Sequence, residues 1–403
     1  MATSVFREHA DHMGAGRAAA VGYRTDVGSR KAALALGNTA AHSSNTGRVQ
    51  GTRDPCRCGE DAMSVRSELR ATVDALTRPG LGILAADESA PTIAKRLQAV
   101  GLESTPEIRN AYRALLLTTA GLGEFIGGVI LFEETLGQKS ADGTPLPQCA
   151  LRQGIVPGIK VDAGKIPLAH APGDEITQGL DGLAKRLEEY RQQGARFAKW
   201  RAVYHIGDRL PSRLAIDANA EGLARYAAIC QESGLVPIVE PEVLLDGDHT
   251  MEHCAETAEA VLHAVFHALH RHHVVLEHML LKPSMVLPGK ENAQKASPAE
   301  IAERTIRVLR RTVPAAVPGI YFLSGGQTPR EATANLDSLN RAGPQPWQLR
   351  FSYGRALQDP VLRAWRGQPA NTSVAQEALR TRARLNSAAS QGGYEASMEP
   401  GPE

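Results

Sequence analysis

A (β/α)8 barrel of the TIM type, with a disordered N-terminal extension before it and a mobile C-terminal tail after it, is the fold class this sequence predicts. Eight short apolar runs alternate with segments of helical pattern. The connections carry helix-start and helix-stop residues, and no G-x-G-x-x-G follows the first run, which disfavours a dinucleotide-binding sheet. Parallel strands need a crossover between them, so this alternation reads as repeated βα units. Eight units over about 300 residues suit a closed barrel better than an open doubly wound sheet.

Residues 1–62 are the extension. They are rich in Ala, Gly, Ser and Arg, without helical or strand period, and no apolar h-region marks a secretory signal. The Arg and Ser content suits a plastid or mitochondrial transit peptide, but the interspersed Asp and Glu suit an extension with no address equally well. The expected compartment is therefore the chloroplast stroma if 1–62 is a transit peptide and the cytoplasm otherwise. The five cysteines form no dense framework, and Cys56-x-Cys58 has no second pair to complete a metal site, which reads as free thiols in a reducing compartment.

The body spans 63–385. Its apolar runs are 82–86, 127–132, 155–159, 196–198, 236–239, 274–281, 320–323 and 348–351. Ser297-Pro298-Ala299-Glu300 and Thr328-Pro329-Arg330-Glu331 each read as an N-cap, a proline in the first turn and a capping-box Glu. Gly194 and Gly234 stop helical runs, each shortly before an apolar one. Residues 386–403 are small, polar and Pro/Gly-containing, the composition of a mobile tail.

Charge and composition exclude some functions. The net charge of +1 gives no reason to expect nucleic acid or an anionic membrane as partner. No apolar run reaches the length of a membrane span.

Barrel enzymes build their sites at the C-terminal ends of the strands. In order, the runs end on Asp87; Glu133 and Glu134; Lys160 and Asp162; Lys199 and Arg201; Glu240 and Glu242; Lys282; Ser324; and Ser352 with Arg355. Residues two apart share a strand face, so Lys199 joins Arg201 and Glu240 joins Glu242. One such residue is an ordinary solvated loop position; eight in a row outline a polar mouth of mixed charge. Lys282 ends an apolar run, where lost solvation and the neighbouring Lys199 favour the free amine, a nucleophile toward carbonyls. Carboxylates supply the acid and base for dehydrating a carbinolamine. Ser324-Gly325-Gly326 and Gly354-Arg355 are the turns after runs seven and eight, where barrels commonly hold phosphate on backbone N–H groups.

Seven strings carry a more specific resemblance: Gly82-Ile-Leu-Ala-Ala-Asp87-Glu88-Ser89, Gly158-Ile-Lys160-Val-Asp162, Phe197-Ala-Lys199-Trp200-Arg201, Val236-Pro-Ile-Val-Glu240-Pro-Glu242, Leu280-Leu-Lys282-Pro, Phe322-Leu-Ser324-Gly-Gly-Gln327 and Phe351-Ser-Tyr-Gly-Arg355-Ala-Leu. From about 63 to 394 the chain resembles class I, Schiff-base fructose-1,6-bisphosphate aldolase. The resemblance implies that Lys282 attacks the C2 ketone and that Glu240 handles carbinolamine dehydration, with Glu242 its neighbour and Lys199 the second site lysine. Asp87 would take the C4 hydroxyl proton as the C3–C4 bond breaks. Ser324, Gly325, Ser352 and Arg355 match the C1-phosphate contacts, and Gly326 and Gly354 of the same turns are counted as phosphate-binding. Ser89, Arg96 and Lys160 lie nearer the C6 phosphate, and Arg201 is counted with the substrate-binding cations. The implied partner is a small sugar phosphate, with a homotetrameric assembly, and no cofactor and no metal are called for.

The chain departs from the family pattern in three places. His278 stands where a glycine is usual, and a left-handed backbone there would cost about 1 kcal/mol or more. Ala90-Pro91 follows Ser89 in place of Thr-Gly and is expected to stiffen the loop. The family's terminal tyrosine finds no match, the last tyrosine being Tyr394, so slow protonation of the enamine is expected. A rival reading places zinc on His263, His267 and His270, which share a helix face, but no carboxylate is placed to orient them. The alternative of a different class is a non-catalytic, aldolase-derived scaffold that binds sugar phosphates.

Overall fold

The computed structural model describes residues 55–401. The address of the extension and the side chains of Cys56 and Cys58 lie outside the described residues. A helix, Pro55–Leu76, begins inside the segment read as extension. Its Leu69, Val73 and Leu76, spaced four and three apart, form one apolar stripe. That stripe packs with Ile83, Phe197, Val236, Leu280 and Tyr321 inside the barrel and closes the end away from the mouth. The Tyr321 hydroxyl, otherwise stranded in this core, donates to the Leu76 carbonyl at 2.6 Å.

Ten strands follow: β1 (Gly82–Ala86), β2 (Ile126–Leu131), β3 (Val156–Lys160), β4 (Lys165–Pro167), β5 (Glu175–Thr177), β6 (Phe197–Tyr204), β7 (Val236–Val243), β8 (Leu280–Leu281), β9 (Gly319–Phe322) and β10 (Gln348–Tyr353). Eight form a closed parallel barrel in the order β1-β2-β3-β6-β7-β8-β9-β10, with β10 returning to β1. The predicted barrel is therefore the observed fold. β4 and β5 make an antiparallel hairpin after β3 that the apolar pattern did not reveal, its residues being at most half-buried. Both expected capping boxes form, at Ser297 with Glu300 and at Thr328 with Glu331. Gly194 and Gly234 take positive φ.

Three expectations need correction. The run 274–281 yields only a two-residue strand, because 276–278 turns as a 3-10 helix. Gln231 occupies the main-chain groups a longer strand would pair. Its amide donates to the Val275 carbonyl at 2.8 Å and accepts from the Val275 N–H at 3.0 Å. His278 closes that turn without left-handed strain; the non-glycine residues at positive φ among the described residues are His170, His273 and Arg366. The division at 386 falls within the helix Thr372–Ala389, and Tyr394 beyond it is buried rather than carried on a loose tail.

Candidate active site

The strand ends bring the predicted residues to one mouth. Lys199 and Arg201 on β6, and Glu240 and Glu242 on β7, face the interior on neighbouring strands, with Arg201 in register with Glu240. Lys282 follows β8 and extends the ladder through its N–H to the Val239 carbonyl at 2.8 Å. Asp87 follows β1. The four charges alternate: Lys199 Nζ lies 2.8 Å from Asp87 Oδ2 and 3.1 Å from Glu240 Oε2, and Lys282 Nζ lies 3.0 Å from Glu240 Oε1. Arg201 pairs with Glu242 at the rim of the same cluster.

Lys199, Glu240 and Lys282 are each at most 4% exposed, so these charges act with little solvent screening. Burial alone would raise the Asp87 pKa, but Lys199, Lys282 and Lys160 outweigh it and hold the carboxyl well below its ordinary range. Glu240 is lowered in the same way: burial opposes, and Lys199, Lys282 and Arg201 prevail. Burial would lower the Lys199 pKa, but Asp87, Glu240 and Asp162 raise it. Lys199 is thus a fixed cation that keeps two carboxylates ionised. Lys282 is not left facing bare like charge, since Glu240 stands between the two ammonium groups.

On one flank lie the turns after β9 and β10. Ser324 and Ser352 are buried, and the Ser352 hydroxyl has no hydrogen-bond partner among the described residues. Gly325 is left-handed, at φ 54°, as a tight turn of two glycines allows. Gly354 caps the helix Arg355–Trp365, so the first N–H groups of that helix point toward the same turn. Arg355 reaches back to the Gly325 carbonyl. This is the build of an anion site.

On the other flank Lys160 donates to the Asp162 carboxylate at 2.5 Å and to its carbonyl at 2.8 Å. Ser89 N-caps the helix Ala90–Gln98, and Pro91 sits in its first turn, where a missing N–H costs nothing. Arg96 comes from this helix to within 3.7 Å of where a Gly354 Cβ would stand, so it borders the β10 turn as well.

Sequence reasoning passed over Glu88. Its buried carboxylate holds Arg113 at 2.7 Å, Arg96, and the Gln358 amide at 2.8 Å, which also donates to the Ala85 carbonyl at 2.6 Å. The adjacent pair Asp87-Glu88 was the available signal. The histidines of the zinc reading sit on the outer helix Met251–Arg271, where His263 and His267 line grooves against neighbouring helices. Among the described residues no group of three or more His, Cys, Asp or Glu is arranged to hold a metal. No helix there is long and apolar enough to cross a membrane.

Comparison with known proteins shows what the chain and its fold are similar to. Residues 68–402 match the family model described as fructose-bisphosphate aldolase class-I. The chain is 53% identical over 335 residues to fructose-bisphosphate aldolase 4, cytosolic, of Arabidopsis thaliana, covering 83% of this chain and 85% of that one. It is 54% identical to the same plant's chloroplastic aldolase 3, covering 82% and 84%. A solved fructose-bisphosphate aldolase from Plasmodium falciparum, in complex with TRAP and a small-molecule inhibitor, superposes with a TM-score of 0.82 at 51% identity, covering 83% of this chain and 96% of that one.

Proposed function

The chain belongs to the class-I fructose-bisphosphate aldolase family, and we propose that Lys282 is the amine through which it works. The reaction is the reversible aldol cleavage of fructose 1,6-bisphosphate to dihydroxyacetone phosphate and glyceraldehyde 3-phosphate. In this reading Lys282 Nζ adds to the C2 ketone and forms a carbinolamine. Glu240, 3.0 Å from that nitrogen, takes the proton leaving the amine and returns one to the departing hydroxyl. The resulting iminium draws electrons from the C3–C4 bond as Asp87 accepts the C4 hydroxyl proton, and glyceraldehyde 3-phosphate departs. Protonation of the enamine and hydrolysis of the iminium release dihydroxyacetone phosphate and free Lys282. Lys199 keeps Asp87 and Glu240 ionised and therefore able to accept protons. Glu242 and Arg201 steady each other beside Glu240.

The observation that carries this reading is the single carboxylate of Glu240 bridging two buried lysines, one of which ends a barrel strand. The phosphates are assigned to the flanks: C1 to the β9 and β10 turns, C6 to the side of Ser89 and Lys160, with Arg96 reaching between them. A homotetramer is the assembly implied by the family resemblance. The relatives include cytosolic and chloroplastic proteins, so a plastid address rests on residues 1–62 acting as a transit peptide.

Borohydride reduction in the presence of dihydroxyacetone phosphate tests the amine. A stable adduct mapped by mass spectrometry to Lys282, and lost in K282M, is the expected result. Failure to trap any adduct in the wild-type protein would overturn the assignment and favour the sugar-phosphate-binding scaffold.

A further inference from the structure

Lys290 lies outside the eight strand ends, in the loop after β8, and its position is fixed from three sides. The loop is stitched to the one after β7: Lys290 N–H donates to the Leu245 carbonyl at 2.8 Å, Gly289 N–H to that of His249 at 2.8 Å, and Glu291 N–H to that of Gly247 at 3.0 Å. The two loops are so close that a Cβ on Gly289 would stand 2.2 Å from the Gly247 carbonyl oxygen. From this base the lysine stem lies across the Gly325–Gly326 turn. A Cβ on Gly326 would meet Lys290 Cε at 1.8 Å and Nζ at 2.7 Å. The ammonium pairs with Asp246 Oδ1 at 2.9 Å and remains partly open to solvent.

The turn is therefore flanked by two cations from different strands, Arg355 on the Gly325 side and Lys290 on the Gly326 side. We propose that Lys290 is a further phosphate-binding residue of this site, and that Asp246 is the carboxylate with which an incoming phosphate competes for it. The inference rests on the reading of the Gly325–Gly326 turn as the C1-phosphate site. A phosphate on the turn's N–H groups would lie within reach of an ammonium whose stem already covers Gly326, and it offers that ammonium more acceptor charge than one carboxylate does. Asp246 answers to both cations. The hydrogen bond from Lys290 holds its carboxyl below the ordinary range against partial burial, and the charges of Lys290 and Arg355 add to this. An alternative account makes Lys290–Asp246 a loop fastener only.

Steady-state kinetics in the condensation direction separate the two, because each substrate carries one phosphate. K290A is expected to raise the KM for dihydroxyacetone phosphate about fivefold, with the KM for glyceraldehyde 3-phosphate unchanged, and K290R to restore it. D246N is expected to lower the KM for dihydroxyacetone phosphate about twofold, because it frees the ammonium. A loop fastener predicts no such opposition: both variants would lower the unfolding midpoint and spare the KM. Unchanged KM for dihydroxyacetone phosphate in K290A, with R355A raising it, overturns the role of Lys290 and leaves the turn as the phosphate site. Unchanged KM for dihydroxyacetone phosphate in both K290A and R355A overturns the phosphate reading of the turn itself.

Discussion

Removing the ammonium of Lys199 would leave Asp87 and Glu240 in a buried mouth with less opposing charge, since each is raised by burial and held low by that cation, and Asp87 also raises Glu240. A carboxylate whose folded pKa is lowered stays ionised as pH falls through its ordinary range of about 4. It contributes stability that is present above the unfolded pKa and lost only as pH falls through the folded one. The wild-type enzyme is therefore expected to keep its proton acceptors charged below about pH 4. In K199M burial is offset only by Lys282 with Lys160 at Asp87 and by Lys282 with Arg201 at Glu240, so both pKa values rise and the acid limb of kcat/KM moves to higher pH. A pH–rate profile of the two proteins checks this; coincident acid limbs would show that Lys199 does not set the charge state. The identities of these residues were readable from strand ends alone. Glu88 showed only as the neighbour of Asp87 and Lys290 not at all, because their meaning lies in partners from elsewhere in the chain: Gln358 stands 270 residues from Glu88, and Asp246 stands 44 from Lys290.

The elements of the barrel are matched in size across its interior, and two glycines show how tightly. A Cβ on Gly158 of β3 would meet the Phe197 ring of β6 at 2.2 Å, and one on Gly82 of β1 would meet the Phe351 ring of β10 at the same distance. Overpacking of a core costs about 1–3 kcal/mol. G158A is expected to destabilise the protein by that amount. G222A in the helix Arg213–Glu232, where a Cβ would meet nothing within 4 Å, is expected to stabilise it by about 0.8–1 kcal/mol through helix propensity. Denaturant unfolding of both variants checks the pair, and a neutral G158A would mean that the Phe197 ring has room to move. Elements whose own residues carry the signal were legible, as the two capping boxes show. The run 274–281 was not, since its β-branched and apolar residues fit a strand while a distant Gln231 takes its hydrogen bonds. The hairpin of β4 and β5 was also missed, being too short and exposed to leave an alternating pattern.

At the scale of the whole molecule, residues 390–401 bind the last helix to its neighbour and give Tyr394 a fixed place. Its N–H donates to Asp337 Oδ1 at 2.9 Å, its carbonyl accepts from Arg341 at 2.9 Å, and its hydroxyl lies 3.0 Å from Glu399 Oε1. Burial, with Glu399 beside it, pushes the Tyr394 pKa up to about 12. Glu399 also pairs with Arg382 at 2.7 Å, the two side chains being 6% and 5% exposed, and Arg382 in turn donates to the Pro329 carbonyl at 2.7 Å in the first turn of Pro329–Arg341. That helix begins just after the Gly325–Gly326 turn, so the chain end braces the flank assigned to phosphate. Breaking a buried ion pair from one side costs about 3–5 kcal/mol, because the remaining charge is left without a partner. E399A is expected to lose stability on that scale, and Y394F to lose about 1 kcal/mol with its hydrogen bond. Neither loss concerns the enamine, so Y394F should exchange the α-proton of dihydroxyacetone phosphate in labelled solvent at the wild-type rate. A Y394F protein with slow exchange and an unchanged unfolding midpoint would show instead that Tyr394 leaves its place on these helices and acts at the mouth.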